Sequence, residues 1–161
     1  MNFIIAIEII LVIIFWAPNL LGMQTFVVTS GSMEPMYPTG SLIYVKKVEP
    51  SEIQVGDAIT FYMVNSQSVA THQVYEINKE AQEFRTQGIN NKDENGNIVH
   101  DGSPVKYNDL IGKPVVCIQY LGYLNRWMTT SPGMYIVLIM TICIISISLI
   151  LDKYKNTEGK I

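Results

Sequence analysis

Two long apolar runs, one near each end, constrain this chain more than any other feature of its sequence. Residues 3–22 are almost entirely apolar apart from Glu8 and two other polar or helix-breaking positions, and residues 134–151 carry no charged side chain. A helix of about 20 residues rises about 30 Å, which matches the hydrocarbon thickness of a bilayer. The sequence therefore predicts two transmembrane helices, at residues 1–23 and 133–151.

The first run has an alternative interpretation as a cleavable secretory signal. No Lys or Arg precedes it and no small-residue cleavage site follows it, so a retained membrane anchor is favoured. Glu8 is costly inside a span, where acidic side chains usually face protein or water. It either contacts the second span or lies near the membrane surface.

The C-terminal tail sets the predicted orientation. Lys153, Lys155 and Lys160 follow the second run, and lysines beside a span favour the cytoplasmic side of the membrane. Both termini are then cytoplasmic. We expect a two-pass protein of the cell membrane with an extracytoplasmic domain at residues 24–132 and a cytoplasmic tail at residues 152–161.

The segment between the two runs has the pattern of short strands separated by turns. β-Branched and aromatic residues are concentrated at residues 25–29, 41–48, 58–64, 69–77, 83–86 and 115–120. Glycine, proline and asparagine occur between these segments, and none of the segments has a long helical period. The expected fold class is mainly β: a small all-β domain flanked by two transmembrane helices.

Composition excludes several classes of function. The net charge of −3 gives no sign of a nucleic-acid partner. Cys117 falls in a predicted strand and Cys143 in the second apolar run, so they do not form a disulfide framework. Metal-ligand spacings, phosphate loops and dinucleotide fingerprints are missing, so we expect neither a cofactor nor a metal.

The segment S-G-S-M-E-P at residues 30–35 places two hydroxyls around a glycine, directly after the first predicted strand. Gly31 can adopt backbone angles that other residues avoid, so the Ser32 hydroxyl can be presented on a tight, exposed turn. Serine, glycine and proline also dominate ordinary turns, so an unreactive polar turn is the alternative.

A nucleophilic serine needs a base, and the chain has two histidines. His72 lies in a predicted strand, where a histidine is often only structural, and His100 lies in a polar loop where we expect it to be exposed to solvent. A serine–lysine pair would instead need Lys79 or a nearby lysine. Lys46 and Lys47 stand at a strand end and are expected to be solvated.

These segments resemble the type I signal peptidases, the membrane-bound serine peptidases that cut signal peptides from exported proteins. Residues 30–35 resemble their nucleophile box, and A-T-H-Q-V at residues 70–74 resembles the threonine–histidine box of the endoplasmic-reticulum-type branch found in some bacteria and archaea. A Gly-Asp pair resembles a further box, in which Asp57 reads as a turn former. The resemblance extends over about residues 24–124 in local segments.

The resemblance implies a role for each of four residues. Ser32 is implied as the nucleophile and His72 as the base. The Ser30 hydroxyl and the Ser32 backbone N–H are implied as the oxyanion site. It also implies that the cleavage site of the substrate has small side chains, with Met33 forming part of the pockets that receive them.

The acid that orients the base is displaced from its usual place. Residues 84–91 resemble the family segment T-K-G-D-N-N, but Ile89 stands at its aspartate, and an alkyl group cannot orient an imidazole. The family carries a second aspartate before a Pro-Val pair, which H-D-G-S-P-V at residues 100–105 matches. Asp101 is therefore implied as the acid, with Asp93 in reserve, although either aspartate also reads as an ordinary loop residue.

The expected function is that of a membrane-bound serine endopeptidase that removes signal peptides by Ser-His-Asp acyl transfer. Its expected partners are signal-peptide-bearing precursors and the lipid bilayer. Few residues separate the first apolar run from Ser32, so the reactive serine is expected close to the membrane face. The alternative is a membrane-anchored β domain that binds a partner and has lost activity, for which Ile89 is the evidence.

Overall fold

The computed structural model describes residues 10, 13–15, 17–63 and 68–158, with side chains described as far as residue 150 except for residue 149. Its strands are β1 (Met23–Val27), β2 (Leu42–Lys46), β3 (Ala58–Tyr62), β4 (Val69–Asn78), β5 (Glu83–Lys92), β6 (Ile98–His100), β7 (Val105–Lys106) and β8 (Leu110–Ile118). Two helices follow, α1 (Leu121–Thr129) and α2 (Gly133–Glu158).

The strands form a mainly antiparallel sheet in the order β1-β2-β8-β3-β4-β5-β6, with β7 paired to β5. The long strands β4 and β5 form a hairpin, β3 pairs with β4, and β8 joins β3 to the β1–β2 pair. The expected mainly β class is therefore confirmed.

The principal core lies against β3, β4 and β5. Its fully buried apolar members include Ile59, Val74 and Phe84, whose side chains project from three neighbouring strands toward one face. Burial of such side chains contributes about 1.5–3 kcal/mol each relative to leaving them exposed. This core fixes the strands that carry the polar residues described below.

Several boundaries differ from the predicted ones. β5 extends to Lys92 instead of ending at residue 86, and β8 begins at Leu110 instead of residue 115. The polar second half of β5 has low intrinsic strand preference, and pairing with its neighbours overrides that preference. His100 is exposed as expected, but it lies in β6 rather than in a loop, stacked on Tyr75 with ring centroids 4.0 Å apart.

Helix α1 was not predicted from the sequence. It begins after Tyr120, whose φ of 64° turns the chain out of β8. Gly122 is required in its first turn, because a Cβ there would lie 2.6 Å from the carbonyl oxygen of Ser41. A short segment that contains a glycine has little helical signal, so contact with the sheet decides its conformation.

Within the described residues, no single helix has both the length and the apolar character of a membrane span. One pair, Leu121–Thr129 with Gly133–Ser148, meets those criteria jointly but is bent by 82° at the break between the two helices. The two predicted transmembrane helices are thus not confirmed. Most of the predicted first span, including Glu8, lies outside the described residues.

The described part of the N-terminal run contacts the β domain. Residues 17–20 are helical, and the ring of Phe15 is buried against Leu42 and Tyr44 of β2. The Tyr44 hydroxyl donates a hydrogen bond of 2.8 Å to the Ile14 carbonyl oxygen. Burial raises the pKa of Tyr44, which keeps it in the neutral form that can donate this bond.

Candidate active site

Ser32 lies in a turn between β1 and β2, next to a buried anchor. Met33 is 2% exposed, so the residue after the serine fixes the turn against the core. Gly31 does not have the positive φ that its neighbourhood suggested; instead, the space beside its Cα is occupied by the Glu34 carboxylate, 3.2 Å from where a Cβ would stand. The glycine is needed for close approach rather than for an unusual backbone angle.

Glu34 closes this turn with two hydrogen bonds. One carboxylate oxygen accepts from the Thr39 backbone N–H at 3.1 Å and from the Thr39 hydroxyl at 2.9 Å. These bonds, the backbone one foremost, lower the pKa of Glu34 because they favour the charged carboxylate. The serine turn is therefore closed by a charged side chain.

His72 projects from the interior of β4, directly opposite Ile59 of β3. Its side chain is 15% exposed, and its ring meets that of Phe61 edge-on at a centroid distance of 6.3 Å. The imidazole Nε2 lies 3.1 Å from the Ser32 Oγ. Pairing with β3 fixes the backbone of His72, and its imidazole lies at hydrogen-bond distance from the serine.

Asp101 occupies the other side of the imidazole, in the segment that follows β6. Its Oδ2 lies 2.6 Å from the His72 Nδ1, and its side chain is 23% exposed. In the tautomer in which Nδ1–H donates a hydrogen bond to this carboxylate, Nε2 is the acceptor that faces Ser32. The structure thus brings together Ser32, His72 and Asp101 in one hydrogen-bonded row.

Ser30 lies beside Ser32. Its Oγ is 3.3 Å from the Ser32 Oγ. Among the residues that the structure describes, no acceptor is paired with the Ser32 backbone N–H. A hydroxyl and an N–H are thus both available next to the Ser32 Oγ, as an oxyanion site requires.

Two residues of β5, Thr86 and Asn90, connect these groups, although the sequence indicated no role for either. The Asn90 side chain donates to the Gly31 carbonyl oxygen at 3.0 Å, and the Asn90 N–H donates to the Ser32 carbonyl oxygen at 2.9 Å. The Thr86 hydroxyl donates to the Asp101 Oδ2 at 2.6 Å. The polar character of β5 is the sequence signal that could have indicated these two residues.

Gly88, between those two residues, allows β5 to approach the serine turn. A Cβ at this position would lie 2.9 Å from the Ser32 carbonyl oxygen and closer still to the Asn91 side chain. Ile89 directly follows Gly88, and its alkyl side chain offers no hydrogen-bond acceptor for His72.

The remaining candidates lie apart from this row. Both carboxylate oxygens of Asp93 are bonded within its own turn, to Asn95 and Asn97. Hydrogen bonds from Asn97, its backbone N–H first, lower the pKa of Asp93. Asp57 likewise forms a turn, accepting from the Gln54 N–H at 2.8 Å.

The lysines considered as alternative bases are exposed. Lys79 lies in the turn that follows β4, and Lys46 and Lys47 lie at the end of β2. Cys117 and Cys143 are both free thiols. Within the described ranges, no three His, Cys, Asp or Glu side chains come together as metal ligands do.

An open cavity of about 940 Å³ lies beside the serine and the histidine. Its lining combines the edge of β1 and the start of β4 with apolar side chains, among them Phe26, Met33, Tyr37 and Val69. Ser32, His72 and Asn90 line it as well. A chain segment that enters this cavity meets the serine hydroxyl and an apolar surface together.

A row in which a carboxylate, an imidazole and a serine hydroxyl are joined by hydrogen bonds is the arrangement of serine hydrolases. It permits proton transfer from the hydroxyl to Nε2 while the carboxylate stabilises the imidazolium that forms. Because this row stands on a mainly β domain, the chain is best compared with serine hydrolases of mainly β structure.

Known proteins of that class are similar to this chain. Signal peptidase I W of Bacillus subtilis is 43% identical over 77 residues, which are 46% of this chain and 40% of that protein. The signal peptidase complex catalytic subunit SEC11C of Homo sapiens is 24% identical over 110 residues, 66% of this chain and 57% of that subunit. SEC11 of Fusarium vanettenii is 26% identical over 117 residues, 70% of this chain and 68% of that protein.

The predicted resemblance to type I signal peptidases is therefore confirmed. The matched region spans about half the length of the first two of these relatives: 40% of the bacterial protein and 57% of the mammalian subunit. No protein-family model matches the chain.

Proposed function

We propose that the protein is a membrane-anchored serine endopeptidase that removes signal peptides from exported proteins. The observation that carries the proposal is the row at the candidate site: His72 Nε2 is 3.1 Å from Ser32 Oγ, and His72 Nδ1 is 2.6 Å from Asp101 Oδ2. The relatives named signal peptidase support the choice of substrate class.

The proposed reaction is acyl transfer through Ser32. Its Oγ attacks the scissile carbonyl carbon while His72 Nε2 takes the hydroxyl proton, and the tetrahedral intermediate collapses as the imidazolium protonates the leaving amine. In the second half, His72 takes a proton from water, which attacks the acyl-enzyme, and then returns the proton to the Ser32 oxygen. This step releases the signal peptide and regenerates the serine. Asp101 holds Nδ1–H and stabilises the imidazolium in both halves of the reaction.

The oxyanion that forms in each half is assigned to the Ser30 hydroxyl and the Ser32 N–H. The 3.3 Å separation of the two serine oxygens supports this assignment, because the Ser30 hydroxyl can turn from Ser32 Oγ to a charged oxygen bonded nearby. One such donor typically stabilises the transition state by about 3 kcal/mol.

The cavity is proposed to hold the residues that precede the scissile bond. Its apolar lining by Met33, Val69 and Ala70 supports small, uncharged side chains there, because a charged group would lose its hydration without gaining a partner. The unbranched Met33 is adaptable, which suits a pocket for several related small residues.

Membrane anchoring by residues 1–23 and 133–151 is part of the same proposal. Exposed apolar side chains along α2 support it, among them Leu138 at 57% and Ile139 at 60%, since exposed apolar surface of this extent favours lipid or protein contact. In the proposed topology the β domain at residues 24–132 is extracytoplasmic, and the termini, with the tail at residues 152–161, are cytoplasmic. The alternative, a β domain that binds a partner without activity, has the departure at Ile89 in its favour.

The decisive experiment compares the purified protein in detergent with its Ser32→Ala variant on a precursor, with the cleaved bond located by mass spectrometry. The parent is expected to cut at the signal-peptide boundary and the variant to leave the precursor intact. Circular dichroism of both controls for folding, because removal of one hydroxyl from a turn costs little stability. A variant that cuts the same bond at the parent rate would refute the mechanism, and an inactive parent would favour the binding protein.

Topology has its own test, in a background with Cys117→Ser and Cys143→Ser. We expect an impermeant thiol reagent to label Asn95→Cys from outside intact cells, but to label Asn156→Cys only after the cells are opened. The opposite pattern would overturn the orientation inferred from the lysine tail.

A further inference from the structure

We propose that Thr86 is a positioning residue, whose hydroxyl holds the Asp101 carboxylate in the orientation that serves His72. The inference rests on the proposed function, because it matters only if Asp101 orients the base. It adds a fourth member to the row, bonded to the same carboxylate oxygen as the imidazole.

The contacts show that Thr86 holds Asp101 at two points. Its hydroxyl donates to Oδ2 at 2.6 Å, the same oxygen that lies 2.6 Å from the His72 Nδ1. Its carbonyl oxygen accepts the Asp101 backbone N–H at 2.9 Å. One residue therefore restrains both the backbone and the carboxylate of Asp101.

Thr86 is held more rigidly than Asp101, so the contact can orient the carboxylate. Thr86 is 1% exposed in the interior of β5, opposite Val74 of β4, and its β-branched side chain has few rotamers. Asp101 lies beyond the end of β6, outside the sheet, and rotation of a carboxylate about its last torsion is broad. A fixed donor thus orients an acceptor that its own segment does not orient.

Two donors on one oxygen also restrain rotation of the carboxylate. With Thr86 and His72 both bonded to Oδ2, rotation of the carboxylate breaks two charge-assisted hydrogen bonds at once. Without the hydroxyl, one bond remains and other rotations become accessible. The expected consequence is a slower chemical step with unaltered substrate binding.

The test uses variants that separate the hydroxyl from the volume of the side chain. Thr86→Val removes the hydroxyl at nearly constant shape, and Thr86→Ser retains it. Thr60→Val is the matched control, since Thr60 is also fully buried in the sheet and its hydroxyl lies 2.8 Å from the Thr71 hydroxyl. The measurements are kcat, KM and the thermal midpoint, with a precursor peptide as substrate.

We expect Thr86→Val to lower kcat about tenfold or more with KM unchanged, as for loss of a hydrogen bond to a charged group. Thr86→Ser should recover most of the parent kcat. Thr60→Val should lower the thermal midpoint about as much as Thr86→Val while kcat stays within about twofold. Should Thr86→Val not fold, Thr86→Cys, with its weak donor, carries the same expectation for kcat.

A double variant tests whether Thr86 acts through the carboxylate. In an Asp101→Ala background no carboxylate remains to be held, so adding Thr86→Val should lower kcat by less than about twofold further. A full additional loss, or a Thr86→Val protein with the parent kcat, would overturn the inference. A parent without cleavage, or a Ser32→Ala variant that cuts as fast as the parent, would instead overturn the proposed function.

Discussion

The groups of the candidate site come from two kinds of structure, strand interiors and connecting segments. His72 and Thr86 lie within β4 and β5, where pairing with Ile59 of β3 and Val74 of β4 fixes their backbones. Ser32 and Asp101 lie outside the strands, yet each has an oxygen within 3.1 Å of the imidazole. Loop residues reach this precision because β5 donates hydrogen bonds to both segments, from Asn90 to the serine turn and from Thr86 to Asp101.

This comparison distinguishes variants that remove a reacting group from variants that only alter its position. A change at a reacting group removes chemistry that no neighbour can replace, whereas a change at a supporting contact alters only position. Variants of the two kinds should therefore differ in the size of their effects on the proposed activity.

The largest expected effect is at the proposed base, His72, which lies in a strand. His72→Ala should lower kcat on the order of 10⁶-fold, as removal of the histidine does in another serine protease. Lys79→Ala, in an exposed turn, should leave kcat within about twofold. Cleavage assays of both variants decide between bases: a serine–lysine site requires the opposite result.

Replacing the acid in the connecting segment should have the next largest effect. Asp101→Asn should lower kcat about 10⁴-fold with little change in KM, because an amide favours the wrong imidazole tautomer and does not stabilise the imidazolium. Asp93→Asn is the matched control and should do much less, since that carboxylate is bonded within its own turn. Equal, mild effects would mean that neither aspartate orients His72.

A smaller effect is expected at the proposed oxyanion site. Ser30→Ala should lower kcat about 10²-fold and leave measurable activity, because the Ser32 N–H remains as a donor. Ser51→Ala, at an exposed serine in the short 3₁₀ turn Pro50–Glu52, serves as the control. Unchanged kcat for Ser30→Ala would remove Ser30 from the oxyanion site.

The smallest effect concerns the support of the serine turn by Glu34. Because hydrogen bonds from Thr39 lower the pKa of Glu34, its contribution to stability is complete above the ordinary glutamate pKa of about 4.3 and is lost as the pH falls through the lowered value. The thermal midpoint of the parent should therefore exceed that of Glu34→Gln slightly near neutrality. The difference should shrink below about pH 4; a constant difference would contradict the assignment.

Local patterns predicted much of the fold and part of the site. The β-branched segments gave most of the strands, since alternating burial leaves a trace in the sequence. Ser32 and His72 were singled out because each stands in a short, recognisable segment. Helix α1 and the second half of β5 were not predicted, because long-range contacts at Gly122 and Gly88 decide their conformation.

The sequence by itself determined the two apolar runs, the β character of the domain and the serine turn, since each is encoded in neighbouring residues. Only the tertiary structure decided which carboxylate meets the imidazole. His100 pairs with Gln87 across an irregular β5–β6 register, and this pairing puts Asp101 beside Thr86. Register depends on long-range hydrogen bonds, and a slip of one residue turns every side chain to the other face of the sheet.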